Sequence, residues 1–288
     1  EEVIAFVEAA AGPSAVTRDE FDRTFIYTHG EKVRGLDLDL EVPLALHPAP
    51  HRVVLVAFGT GRNTKRFLGE PGIEALEVVD IDRALPTLAA DIPDVGGTLF
   101  DDPRATFVND DGRHHIRLSK EPFDVIYSDV ATYAQYAGLG TVEFFETCRD
   151  RLAPEGLFVL KLHVDTLTVE GLERFVATFL QVFPESALFS NEATPVLVGF
   201  QRPVAEQLAA ALPSATARYG DGVVERLARR TLADAEALRA MAKGPVLTDD
   251  RPMGLAAALI GPTVDPSQQG AVDLVNRMDR ASGPVAAE

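Results

Sequence analysis

The stretch Val53–Thr64 reads VVLVAFGTGRNT. A run of β-branched and other apolar residues passes into a turn carrying Gly59 and Gly61, and Asn63–Leu68 behind it has the spacing of a helix. A short apolar run bounded by turn residues reads as a strand buried on both faces. Glycine behind it frees the backbone for left-handed dihedrals and for close approach of a ligand. Strand, glycine turn and helix in that order open a nucleotide-binding βαβ unit, so this stretch predicts an α/β fold.

Outward from it the alternation continues. Strands are expected at 75–81, 105–110, 124–129, 157–163, 187–190 and 195–200. Helices are expected at 83–92, near 113–118, and at 142–152 and 169–183. Strands alternating with helices imply a Rossmann-like, mostly parallel sheet covered on both faces. Ahead of it, VIAFVEA (3–9) and RTFIYTHGEKV (23–33) read as short strands, and 203–243 reads as Ala-rich helix. From Gly261 the chain is rich in Pro, Gly, Ser and Gln. The expected organisation is a small N-terminal β-domain over 1–46, a nucleotide-binding catalytic domain over 47–260 and a flexible tail over 261–288. The chain opens on Glu1 rather than Met, as expected of a segment trimmed at its N-terminus.

Composition excludes several classes. With 44 acidic against 27 basic residues the net charge is −17, which argues against a nucleic-acid partner. Cys148 is the sole cysteine, so no disulfide closes within the chain, and a reducing cytoplasm fits. No apolar run approaches the roughly 18 residues of a membrane helix, so no membrane span is expected. The six histidines show no ligand spacing, and His114 and His115 are merely adjacent, so no metal is expected.

In an open α/β sheet, ligands bind beyond the carboxyl ends of the strands. Gly59 and Gly61 end the first of these strands. Asp80 ends the second, about twenty residues beyond the glycine turn, where a carboxylate holds ribose hydroxyls. Asp111 and Gly112 follow the third, and Asp129 ends the fourth. Any one of these acids alone reads equally well as a helix cap; their recurrence at successive strand ends favours a nucleotide. A dinucleotide fingerprint needs a third small residue beside the pyrophosphate, where this chain has Thr64. An adenosyl sulfonium has no pyrophosphate, and Asp111 offers an acceptor for an adenine amino group. Those features favour S-adenosylmethionine or a relative over NAD.

Several segments together resemble the spermidine and spermine synthases, the polyamine aminopropyltransferases, in their bacterial spermidine-synthase-like branch. They are HPAPHRVVLVAFGTG (47–61), VVDID (78–82), FDDPRATFVNDDGR (100–113), FDVIYSD (123–129), EFFETCRDRLAPEGLFVL (143–160) and LTDDRP (247–252). The resemblance implies a homodimer that takes decarboxylated S-adenosylmethionine, moves its aminopropyl group to a small-molecule amine and releases 5′-methylthioadenosine, without a metal. It implies that Asp80 holds the ribose, Asp111 the adenine, and Asp129 deprotonates the attacking amine. Thr132, Tyr133 and Tyr136 lie in the following loop, which would cover the amine. The chain departs from the pattern at Ala57, in place of a glycine, and at Thr60 and Thr132, in place of acids, which sets it apart from classical spermidine synthesis. Two alternatives stay open: an S-adenosylmethionine-dependent methyltransferase, with Arg62 and Lys65 beside a ligand carboxylate, and a non-catalytic nucleotide-binding homologue.

Overall fold

The structure is a computed structural model describing residues 2–9, 12–21, 23–28, 31–33, 41–90, 99–130, 134–190, 195–252 and 266–281. It divides into two compact units, residues 1–40 with 51–118, and residues 41–50 with 119–288.

The first unit holds two sheets. Strands β1 (Glu2–Ala9), β2 (Gly12–Arg18), β3 (Thr24–Thr28) and β4 (Glu31–Val33) form an antiparallel sheet in chain order. A bulge interrupts the β1–β2 ladder between Val3 and Ala5. Strands β5 (Arg52–Val56), β6 (Ala75–Asp80) and β7 (Ala105–Asn109) pair in parallel. Val53, Val54 and Leu55 are fully buried, as the continuous apolar run requires. Helices α2 (Arg62–Leu68), α3 (Leu85–Ala89) and α4 (Gly112–Leu118) follow these strands. Ser14 Oγ donates to Asp82 Oδ2 at 2.7 Å, joining β2 to the loop behind β6, and both residues are buried. The DDPR segment proves to be a staple. Arg104 donates to Asp102 and to the carbonyls of Leu68, Glu70 and Ile73. The Arg104 hydrogen bonds hold the Asp102 carboxyl down to about 2.

The second unit is built on strands in the order β12-β10-β11-β9-β8. Strand β8 (Phe123–Ser128) runs parallel to β9 (Leu152–Lys161). Strands β10 (Ser186–Phe189), β11 (Val196–Phe200) and β12 (Thr231–Ala233) add antiparallel pairs. Its helices are α1 (Glu41–Ala45), α5 (Val142–Arg149), α6 (Val169–Val182), α7 (Val204–Tyr219), α8 (Val223–Arg230), α9 (Ala235–Met241) and α10 (Pro266–Ala281). Side-chain caps start three of them: Thr141 for α5, Thr168 for α6 and Asp234 for α9. The core is aromatic. Phe158 of β9 stacks on Phe179 and Phe183 and meets Phe144 and Phe145 edge-on or tilted.

Three expectations change. The flexible tail is not found over residues 266–281, which form α10. Ala271 and Val275, one helical turn apart, are buried there, and that apolar stripe overrides the loop-like composition. The 203–243 segment is not continuous helix, because Thr231–Ala233 pairs with β10 as an edge strand. Helix α5 stops at Arg149 and β9 begins at Leu152, with Pro154–Gly156 absorbed as a register shift opposite Phe123 and Val125. The α/β class, the parallel strands and the small N-terminal antiparallel sheet are as expected.

Candidate active site

In the first unit, the turn behind β5 is held in a left-handed conformation. Gly59 has φ 56 and Gly61, the N-cap of α2, has φ 80. Ala57 also sits at φ 80, alone among non-glycine residues of the described chain. A Cβ in that region costs about 1–2 kcal/mol. The turn therefore keeps a glycine geometry at a position occupied by alanine. Ala57→Gly is expected to raise the unfolding free energy by about 1 kcal/mol, seen as a higher urea midpoint; an unchanged or lower midpoint would refute the strain.

Asp80 closes β6 beside this turn. Its Oδ2 accepts from Phe58 N–H at 2.8 Å and its Oδ1 from Asp82 N–H at 2.9 Å. Asn109 Nδ2 donates to the Asp80 and Ile81 carbonyls, each at 3.0 Å, and ties the ends of β6 and β7 together. These contacts orient the Asp80 carboxylate at the end of β6. Asp111 is exposed, and its Oδ1 caps α4 by accepting from His114 N–H at 2.9 Å. Gly112 has a packing cause: a Cβ there would lie 2.6 Å from Val56 Cγ1. Gly112→Ala should destabilise by about 1–3 kcal/mol through overpacking, measured by chemical denaturation. Combining it with Val56→Ala should return part of that loss, and no recovery would sink the contact as its cause.

In the second unit, Asp129 follows β8, and β9 brings two further groups to it. Lys161 Nζ lies 3.0 Å from Asp129 Oδ1 and 3.2 Å from Oδ2. His163 Nε2 lies 2.9 Å from Oδ1 and 3.1 Å from the Asp129 carbonyl. The Asp129 side chain is 19% exposed and that of Lys161 only 2%. Burial pushes the Asp129 carboxyl up, but the Lys161 charge and the His163 hydrogen bond outweigh it and hold it below its ordinary value. Burial and the Asp129 charge together push the neighbouring Tyr127 hydroxyl well up, which keeps it neutral. Sequence reasoning missed Lys161 and His163. The available signal was a lysine inside the apolar run LFVLKLH, since a buried cation needs a partner.

Of the loop residues expected to meet an amine, Thr132 and Tyr133 lie outside the described residues. Tyr136 belongs to the 3-10 turn Ala134–Leu139. Behind that turn the LTDDRP segment clasps α5. Thr141 Oγ1 donates to Asp249 Oδ1 at 2.8 Å, and Asp249 N–H donates to Glu143 Oε2 at 3.0 Å. Val142 N–H donates to the Leu247 carbonyl, and Leu247 N–H donates to Thr178 Oγ1 of α6. Among the described residues no cluster of three or more His, Cys, Asp or Glu could hold a metal ion, and no helix is long and apolar enough to cross a membrane.

The spermine/spermidine synthase domain family matches residues 40–201, over half of the chain. The chain belongs to this family. Among similar proteins, the polyamine aminopropyltransferase of Erwinia tasmaniensis is 30% identical over 169 residues, covering 55% of each chain. That of Bacillus subtilis is 30% identical over 151 residues, 52% of this chain and 54% of its own. The chain thus spans about half the length of the curated relatives it matches. The fold is similar to that of spermidine synthase from Thermotoga maritima, with TM-score 0.62, 19% identity and 85% of both chains covered. It is also similar to that of a spermidine synthase in complex with the transition-state analogue AdoDATO, with TM-score 0.61, 19% identity and 85% of both chains covered.

Proposed function

We propose that this family member is a transferase that moves the aminopropyl group of decarboxylated S-adenosylmethionine to an amine and releases 5′-methylthioadenosine. The observation that carries the reading is Asp129: a carboxylate at the end of a parallel strand, part-buried, kept ionised and fixed by Lys161 and His163. The names of the similar polyamine aminopropyltransferases support it.

In this reading Asp80 holds the ribose hydroxyls, Asp111 accepts from the adenine amino group, and Gly59, Gly61 and Gly112 let the nucleoside approach the backbone. The amine-binding residues assigned in this reading are Thr132, Tyr133 and Tyr136. The nitrogen lone pair attacks the aminopropyl carbon bonded to the sulfonium. A C–N bond forms, the C–S bond breaks, and the sulfur keeps the electron pair as a neutral thioether. The nitrogen gains positive charge as it reacts, which an adjacent carboxylate stabilises, and its proton passes to Asp129. No step calls for a metal. The resemblance further implies a homodimer, and the single cysteine fits a reducing cytoplasm.

The direct test is release of 5′-methylthioadenosine from decarboxylated S-adenosylmethionine across a panel of amines. Release that depends on amine supports the reading. Methyl transfer from S-adenosylmethionine with no such release would overturn it.

A further inference from the structure

Three links run from the helix α10 to Asp129. The first is the corner where β9 ends. His163 has φ −76 and ψ 77, and Val164 N–H donates to the Leu162 carbonyl at 2.9 Å. That is an inverse γ-turn with His163 at its centre. The corner brings the imidazole to Asp129, where Nε2 lies 2.9 Å from Oδ1 and 3.1 Å from the backbone carbonyl. Both of these oxygens accept, so the ring nitrogen facing them is the one that donates.

The second link is the 3-10 turn Val164–Thr166 behind that corner. Thr166 donates twice to the His163 carbonyl, from its N–H at 3.0 Å and from Oγ1 at 2.7 Å. The turn therefore fixes His163 from its downstream side and leads through buried Leu167 into α6. The third link is α10, which packs against this turn and against α6. At Gly270 the approach is so close that a Cβ would lie 3.0 Å from Cγ2 of Val169, the first residue of α6. Ala271 and Val275 of α10 are buried. Close-packed groups transmit displacement, so a shift of α10 reaches the turn, its Thr166 bonds and the ring. Resting on the aminopropyl-transfer reading, we propose that α10 is a positioning element of the acceptor site. It acts through the Val164–Thr166 turn and His163 to hold the Asp129 carboxylate where it takes the proton.

The test uses the full chain. Ala271→Glu puts a charge at a buried methyl and lifts α10 from its seat. It is expected to lower kcat for amine-dependent release of 5′-methylthioadenosine by about 10–10²-fold, with KM for decarboxylated S-adenosylmethionine near wild type. His163→Ala should lose as much, and the double variant little more than either alone, because both changes remove one support. Without substrate, the His163 ring signals in NMR, assigned by their absence in His163→Ala, should move in Ala271→Glu. Circular dichroism reports whether each variant folds. If Ala271→Glu does not, the same signals and kcat are read in Gly270→Ala, whose added methyl presses on Val169. The proposal is overturned if the ring signals stay in place, if a folded single variant keeps the wild-type kcat, or if the two losses multiply in the double variant. Moved ring signals with no transfer by wild type would instead sink the reaction and leave the link from α10 to His163 standing.

Discussion

Asp129→Asn is expected to lower amine-dependent release of 5′-methylthioadenosine by about 10²–10⁴-fold, the range general-base groups supply. The amide keeps the shape of the side chain but cannot take a proton or oppose the charge that grows on nitrogen. A loss of less than about tenfold would remove Asp129 from the role of base. The same substitution strips Lys161 of its counter-ion, and breaking a buried pair from one side costs about 3–5 kcal/mol. Stability should follow pH accordingly. The folded-state carboxyl titrates below its unfolded value, because the Lys161 charge and the His163 hydrogen bond outweigh burial. Its contribution is therefore complete above the unfolded value of about 4 and is lost as pH falls through the lower folded value. In a plot of melting temperature against pH, wild type should carry an acid limb that is shallower in Asp129→Asn. Parallel curves would mean that the pair does not stabilise the fold.

Phe158→Ala should cost about 3–5 kcal/mol, a large part of the 5–15 kcal/mol that holds a typical domain together. Phe158 is fully buried, with ring centroids 5.5 Å from Phe183, 5.7 Å from Phe145, 5.8 Å from Phe179 and 6.1 Å from Phe144. Removing it empties the centre of the cluster that packs β9 against α5 and α6. These neighbours are themselves rigid rings, so the cavity closes poorly. The measurement is a urea titration with unchanged slope. A loss under about 1.5 kcal/mol would mean that the rings re-pack freely.

The strongest signals in the sequence were those set by local chemistry. VVLV read as a doubly buried strand because nothing polar interrupts it, and the glycines read as a turn because their left-handed φ is unfavourable for other residues. Asp80 and Asp129 could be placed at strand ends by counting along the chain. What escaped depends on partners far away in sequence. Lys161 and His163 matter because β9 lies beside β8, which brings them to a residue more than thirty positions earlier. Strand β12 is only three residues long and exists because β10 offers an edge. The α10 stripe was hidden by Gln, Gly and Ser around it, and its buried pair, Ala271 and Val275, was the available clue. Ala57 shows the reverse case, a backbone shape kept where the residue type no longer announces it.

The clasp between Thr141 and Asp249 joins positions 108 residues apart. A chain emerging from the ribosome at about 5–20 residues per second folds its early parts first. The start of α5 has to wait for that stretch to be made before the Thr141 bond to Asp249 and the Val142 bond to Leu247 can form. The strands of the parallel pairs β5–β6, β6–β7 and β8–β9 are already available by then. Synthesis that halts before residue 247 would thus yield a chain with its sheets paired and the start of α5 still untied, so that the last of these contacts arrives late and is set by the completeness of the C-terminal stretch.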